Sequence, residues 1–186
     1  MAKSVLISIR PEWVEKILSG EKTLEVRKTR PKLEAPFKVY IYCTAGNLSY
    51  KVKVNGGMVC NVSGGKMVVG EFVCDKITWL THIGFSGLPG IRLAAMKNGY
   101  TIDDSFDFPQ SCLTTPKIEK YLGGKDGYAW HISKLEIYDT PKKLSKFLRP
   151  LEICIGKVCD EYGCAYCENC GHIKRPPQSW CYVEEQ

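Results

Sequence analysis

Two glycine-rich breaks, Asn55-Gly56-Gly57 and Ser63-Gly64-Gly65, punctuate the middle of this chain, and short segments of strand character lie on either side of them. Val5-Leu6-Ile7-Ser8-Ile9 is rich in β-branched residues, and Lys38–Cys43 and Lys66–Cys74 read as further strands. Thr23–Arg27 alternates strictly, with Leu24 and Val26 on one face and Thr23, Glu25 and Arg27 on the other. Tyr128–Tyr138 and Ser179–Val183 add a late strand and a closing one. Several short strands joined by glycine-rich turns specify a barrel or a curled sheet.

Helical signals are few and short. Pro11 suits a first helical position, Trp13, Val14, Ile17 and Leu18 recur at helical spacing, and Gly20 is placed to end that helix. Thr115-Pro116 opens a second helix, which Gly123-Gly124 closes after Leu122, and Pro141–Phe147 suits one more helical turn or two. The stretch from Thr81 to Gln110 is mixed. A helix over Ile91–Asn98 is expected there, capping one end of the barrel.

A chain of 186 residues, 44% of them hydrophobic, can bury one substantial core. No run approaches the roughly 20 apolar residues that a bilayer span needs, and Met1-Ala2-Lys3 leads directly into a strand, so no membrane association and a cytoplasmic location are expected. In a reducing compartment the ten cysteines point to metal ligation or plain burial, not to disulfides. The net charge of +6 suits an anionic partner.

The segment from Ser8 to Arg27 combines a strand, a proline-started helix and the pattern Gly20-x-Lys22-Thr23-x-Glu25-x-Arg27, and so resembles the opening of the ASCH family of PUA-like domains. Val69-Gly70-Glu71-Phe72 is similar to the family's central strand. Gly127–Ile132 and Arg175–Trp180 resemble a bacterial and phage subgroup. The resemblance implies an α+β fold: a five- or six-stranded PUA-like (ASCH) β-barrel with flanking short helices, related to modules that bind RNA and modified bases. It also implies a cleft between the barrel and the first helix, bordered by the face carrying Lys22, Glu25 and Arg27.

From Met1 to Lys38 nine basic residues stand against five acidic ones, so four of the six net positive charges sit in this region. Basic groups interleaved with aromatics can neutralise phosphates while rings stack on bases. The expected ligand-contacting set is Arg10, Trp13, Lys22, Thr23, Glu25, Arg27, Lys28 and Tyr42; Trp13, Tyr40 and Tyr42 also suit plain core positions. One ASCH subgroup hydrolyses N4-acetylcytidine with a lysine, a threonine and a glutamate. Lys22 and Thr23 match its K-T step, but where that subgroup carries its catalytic threonine, three residues after the lysine, this chain has Glu25. The subgroup's glutamate aligns with nothing definite here, Glu71 being one candidate. Lys22 and Glu25 remain a candidate acid/base couple or a structural ion pair.

After Pro150 the composition turns to cysteine. Cys159, Cys164, Cys167 and Cys170, with Cys154 or His172 as substitutes, are spaced to converge on one Zn2+ in a closed, structural tetrahedron; loop thiols are the plainer alternative. Cys43 and Cys74 lie in strands and suit small core positions, and His131 suits a satisfied histidine within the sheet.

The chain thus reads as a PUA-like domain over 1–150, a zinc-binding excursion over 151–175 and a closing strand over 176–186. It is expected to bind RNA or a modified nucleoside. An amidohydrolase acting on N4-acylated cytidine is the first rival, and a protein adaptor using the cysteine-rich segment is the second.

Overall fold

A computed structural model describes residues 3–44, 48–54, 58–84, 91–97, 100–103, 109–150 and 172–185. Its elements are β1 (Ser4–Ile9), α1 (Pro11–Leu18), β2 (Leu24–Arg27), β3 (Phe37–Cys43), β4 (Ser49–Val54), β5 (Met58–Ser63), β6 (Val68–Gly84), β7 (Ile91–Lys97), β8 (Tyr100–Asp103), α2 (Thr115–Leu122), β9 (Gly127–Lys142), β10 (Phe147–Leu148) and β11 (Trp180–Glu185). They fall into two compact units. The first comprises Met1–Glu15, Lys38–Phe72 and Leu135–Gln186, and the second Lys16–Phe37 and Val73–Lys134.

In the first unit β1 is central, pairing antiparallel with β11 and parallel with β3. Both faces of a central strand are covered, which is why its six residues form a nearly continuous apolar run and are all buried. Ser8 is the polar interruption, and it is satisfied: its hydroxyl donates to the Pro177 carbonyl at 2.7 Å, while its amide donates to the Ser179 carbonyl at 2.8 Å. The core here gathers Leu6, Tyr40, Tyr42, Val68, Tyr138, Phe147, Ile173 and Val183. β4 and β5 form a separate antiparallel hairpin around the Asn55-Gly56-Gly57 break.

In the second unit Leu24 and Val26 of β2 pack with Leu80 of β6, Ala129 of β9, and Ile118 and Leu122 of α2. Ile118 and Leu122 lie four positions apart, on one face of a helix. Gly123 ends α2 in the left-handed region at φ 67°, donating its amide to the Glu119 carbonyl. Gly127 starts β9 where any Cβ would run into the Leu122 side chain.

Three expectations are corrected. Among the described residues the strand order β10-β11-β1-β3-β6-β7-β8, with β9 pairing β6 and β2, does not close into a barrel. The cause is the length of β6, whose 17 residues outlast the seven of β3, so that Trp79–Gly84 pair with β7. Ile91–Lys97 is accordingly a strand, not the expected helix. The Pro141–Phe147 turn is reduced to a 3-10 turn over Leu144–Lys146, because β9 runs on to Lys142. The proposed ligands Cys154, Cys159, Cys164, Cys167 and Cys170 lie outside the described residues. Among the described residues no helix is long and apolar enough to cross a membrane.

Candidate functional site

The polar face of β2 turns inward in the second unit. Lys22, Glu25 and Arg27 are only 2%, 7% and 8% exposed. The Lys22 ammonium is ringed by the carbonyls of Leu24 at 2.8 Å and Ser111 at 2.7 Å, and by Glu25 Oε2 at 3.1 Å. Glu25 Oε1 lies 2.9 Å from an Arg27 guanidinium nitrogen. One carboxylate therefore bridges two cations, a formal excess of one positive charge.

Local structure fixes this arrangement. Gly20, at φ 80°, ends α1, after which the Lys22 amide donates to the Lys16 carbonyl. The Thr23 amide donates to the Gln110 carbonyl, and the Thr23 carbonyl accepts from the Ile132 amide, which brings β2 alongside β9. In that register Glu25 stands opposite Trp130, and Arg27 opposite Tyr128. Trp130 is fully buried and meets Phe37 edge to face. Taking charges out of water in this way is costly, and mutual pairing with carbonyl acceptors offsets the penalty.

The expected ligand-contacting residues divide. Lys22, Glu25 and Arg27 come together; Thr23 is exposed, and Lys28 is exposed with its ammonium 5.2 Å from the centre of the Tyr121 ring. Arg10, Trp13 and Tyr42 belong to the first unit. Arg10 is exposed beside Glu12, Trp13 is half-buried on α1, and Tyr42 is a core residue whose phenol burial pushes upward in pKa. Glu71 is also in the first unit, where its carboxylate accepts from the Tyr138 hydroxyl and pairs with Lys38. Sequence reading missed Ser111, whose contribution is a backbone carbonyl and so leaves no side-chain signature.

Burial shifts two thiols and one imidazole elsewhere in the described residues. Burial pushes the Cys74 thiol up to about 12 and the Cys181 thiol to about 11, away from the thiolate a nucleophile needs. His131 Nε2 lies 2.9 Å from the Thr78 hydroxyl, the satisfied histidine expected from its place in the sheet. Burial, and then the Lys76 charge, hold its imidazole below the usual pKa. At the close of the cysteine-rich segment, His172 Nδ1 lies 2.6 Å from the Ser145 carbonyl.

No protein-family model and no curated protein matches the sequence. Solved structures do: the crystal structure of ASCH from Zymomonas mobilis matches with a TM-score of 0.54 and 17% identity, over 97% of this chain and 87% of that one. The chain has the ASCH fold. A tyrosine-to-phenylalanine variant of the same Zymomonas protein matches at a TM-score of 0.51 and 17% identity, over 98% and 91% of the two chains. A serine-to-alanine variant gives 0.51 and 16%, over 97% and 88%. At such identities the likeness is one of fold. In this version of the ASCH fold the Lys-Thr-x-Glu-x-Arg segment after the first helix supplies a buried, charge-bridged centre.

Proposed function

We propose that the second unit binds RNA or a modified nucleoside at the Lys22–Glu25–Arg27 centre. The observation that carries this reading is that two cations share one carboxylate, in a strand where Glu25 stands opposite the buried Trp130. The excess of positive charge attracts an electronegative group, a base carbonyl or a phosphate oxygen, through its field, while the Lys22 ammonium itself stays engaged by the Leu24 and Ser111 carbonyls and Glu25. Titration calorimetry with cytidine, N4-acetylcytidine and a short RNA tests it. Saturable binding that Lys22→Met weakens at least tenfold supports the reading; unchanged affinity in the variant opposes it.

The ion-pair contact between Lys22 and Glu25 favours a second reading, an amidohydrolase acting on N4-acylated cytidine. In that role the pair would serve as an acid/base couple toward water and the amide. The exposed side chain of Thr23, outside the Lys22–Glu25 contact, weighs for binding over catalysis. Chromatography of N4-acetylcytidine incubated with the protein separates the two: release of cytidine that Lys22→Met abolishes would make the protein a hydrolase.

The zinc reading stands beside these as a structural element. Among the described residues no cluster of His, Cys, Asp or Glu could hold a metal, and the cysteine set lies outside them. His172 supports the reading from its own geometry. A carbonyl can only accept, so Nδ1 donates to it, which leaves Nε2 as the nitrogen through which a neutral imidazole would bind a metal. Zn2+ held by Cys159, Cys164, Cys167 and Cys170, or with Cys154 or His172 in place of one of them, would supply folding energy to a segment with little apolar content.

A further inference from the structure

Beyond β2 the chain continues as Lys28-Thr29-Arg30-Pro31-Lys32, with Lys28, Thr29, Arg30 and Lys32 exposed. Two of these cations lie over aromatic rings of the same unit: Lys28 Nζ is 5.2 Å from the centre of the Tyr121 ring, and the Arg30 guanidinium 5.8 Å from that of Tyr128. Tyr121 is 40% exposed, and only Trp79 is a comparably exposed large hydrophobic group among the described residues. α2 adds the exposed cations Lys117 and Lys120, and the turn after it adds Lys125.

Acidic groups offset this charge only in part: against the six cations Lys28, Arg30, Lys32, Lys117, Lys120 and Lys125 stand the half-buried Glu119 and the exposed Asp126, which accepts hydrogen bonds from Trp79 Nε1 at 3.0 Å and from the Thr81 hydroxyl at 2.8 Å. The strip also adjoins the buried centre: Tyr128 is the cross-strand partner of Arg27, and Lys28 follows it directly in sequence. An exposed ring flanked by cations suits a flexible polyanion with accessible flat bases. A duplex hides those faces, whereas an acidic peptide lacks them.

We propose that Lys28, Arg30, Tyr121 and Tyr128 form a docking strip for single-stranded nucleic acid. Lys28 and Arg30 neutralise phosphates and the exposed face of Tyr121 stacks on a base. The proposal rests on the reading above, in that the strip leads the strand to the centre at Lys22, Glu25 and Arg27.

The test is fluorescence anisotropy of the full chain with a ten-nucleotide oligouridine, the matching DNA and a duplex of equal length, across a salt series. Single strands of either sugar are expected to bind more tightly than the duplex. Tyr121→Ala should weaken single-strand binding about tenfold, and Lys28→Ala with Arg30→Ala should flatten the log–log salt slope by about 1.4. These side chains are exposed, and thermal melting by circular dichroism confirms that the variants fold. Tighter binding of the duplex, or single-strand affinity unchanged in these variants, would overturn the strip. Lys22→Met in the same assay separates the two ideas. Loss there with intact strip variants removes the strip and leaves the centre; loss in the strip variants alone removes the centre and leaves the strip.

Discussion

Lys22 Nζ and Glu25 Oε2 stand 3.1 Å apart, and the other oxygen of the same carboxylate lies 2.9 Å from Arg27, so a single acidic group compensates two nearly buried cations. Their removal is not equivalent. Glu25→Ala leaves two cations facing each other out of water and should cost about 3–5 kcal/mol of stability. Lys22→Met leaves Glu25 paired with Arg27 and strands only carbonyl acceptors, a loss of about 1–3 kcal/mol. Urea unfolding of the two variants checks the order, and equal losses would show that the carboxylate is not the hub.

His131 should give the protein a pH dependence in the near-neutral range. Burial and Lys76 depress its folded-state pKa below the ordinary 6.5, so between those two values the unfolded chain binds more protons. Stability is then complete above about pH 6.5 and falls as the pH drops toward the folded value. Urea midpoints at pH 7.5 and 5.5 should differ in the wild type and differ less in His131→Gln. An equal drop in both would assign the effect elsewhere.

Much of this was legible in the sequence, for reasons that are local. The proline start and glycine stop of α1, the capping glycines after Leu122, and the two-residue alternation of β2 each follow from backbone preferences a few residues wide. Ile91–Lys97 was not legible, because a short apolar run fits a helix face or a strand and its partner, Trp79–Gly84, lies in another part of the chain. Alternation identified Glu25 and Arg27 as sharing a face. It did not show that this face is buried, since burial depends on β9, with Trp130 opposite Glu25, and on the Ser111 carbonyl arriving from distant segments. The pairing of Tyr121 and Tyr128 with cations was not legible because Lys28 and Arg30 lie 93 and 98 residues away in the sequence.

Gly70 is a packing constraint in the first unit. A Cβ there would run into the Glu136 backbone carbonyl, and backbone cannot move aside as a side chain can. Gly70→Ala should therefore destabilise by about 1–3 kcal/mol, which a thermal melt would register. A neutral result would mean that β9 has room to shift away from β6.

The cysteine-rich segment should carry one zinc ion per chain. Native mass spectrometry of freshly purified protein is expected to show it, and Cys164→Ser with Cys167→Ser to abolish it, with a lower melting temperature. Protein that keeps its stability and contains no metal under reducing, chelator-free conditions would refute the zinc reading.

The central claim is that the Lys22–Glu25–Arg27 centre is a ligand site and not merely a structural ion network. The most direct test is calorimetric titration of a short RNA, and of N4-acetylcytidine, into the wild type and into Lys22→Met shown by circular dichroism to be folded. The account predicts saturable binding of at least one of these ligands that the variant weakens tenfold or more. Binding of equal strength in both proteins, or none in the wild type, would contradict it.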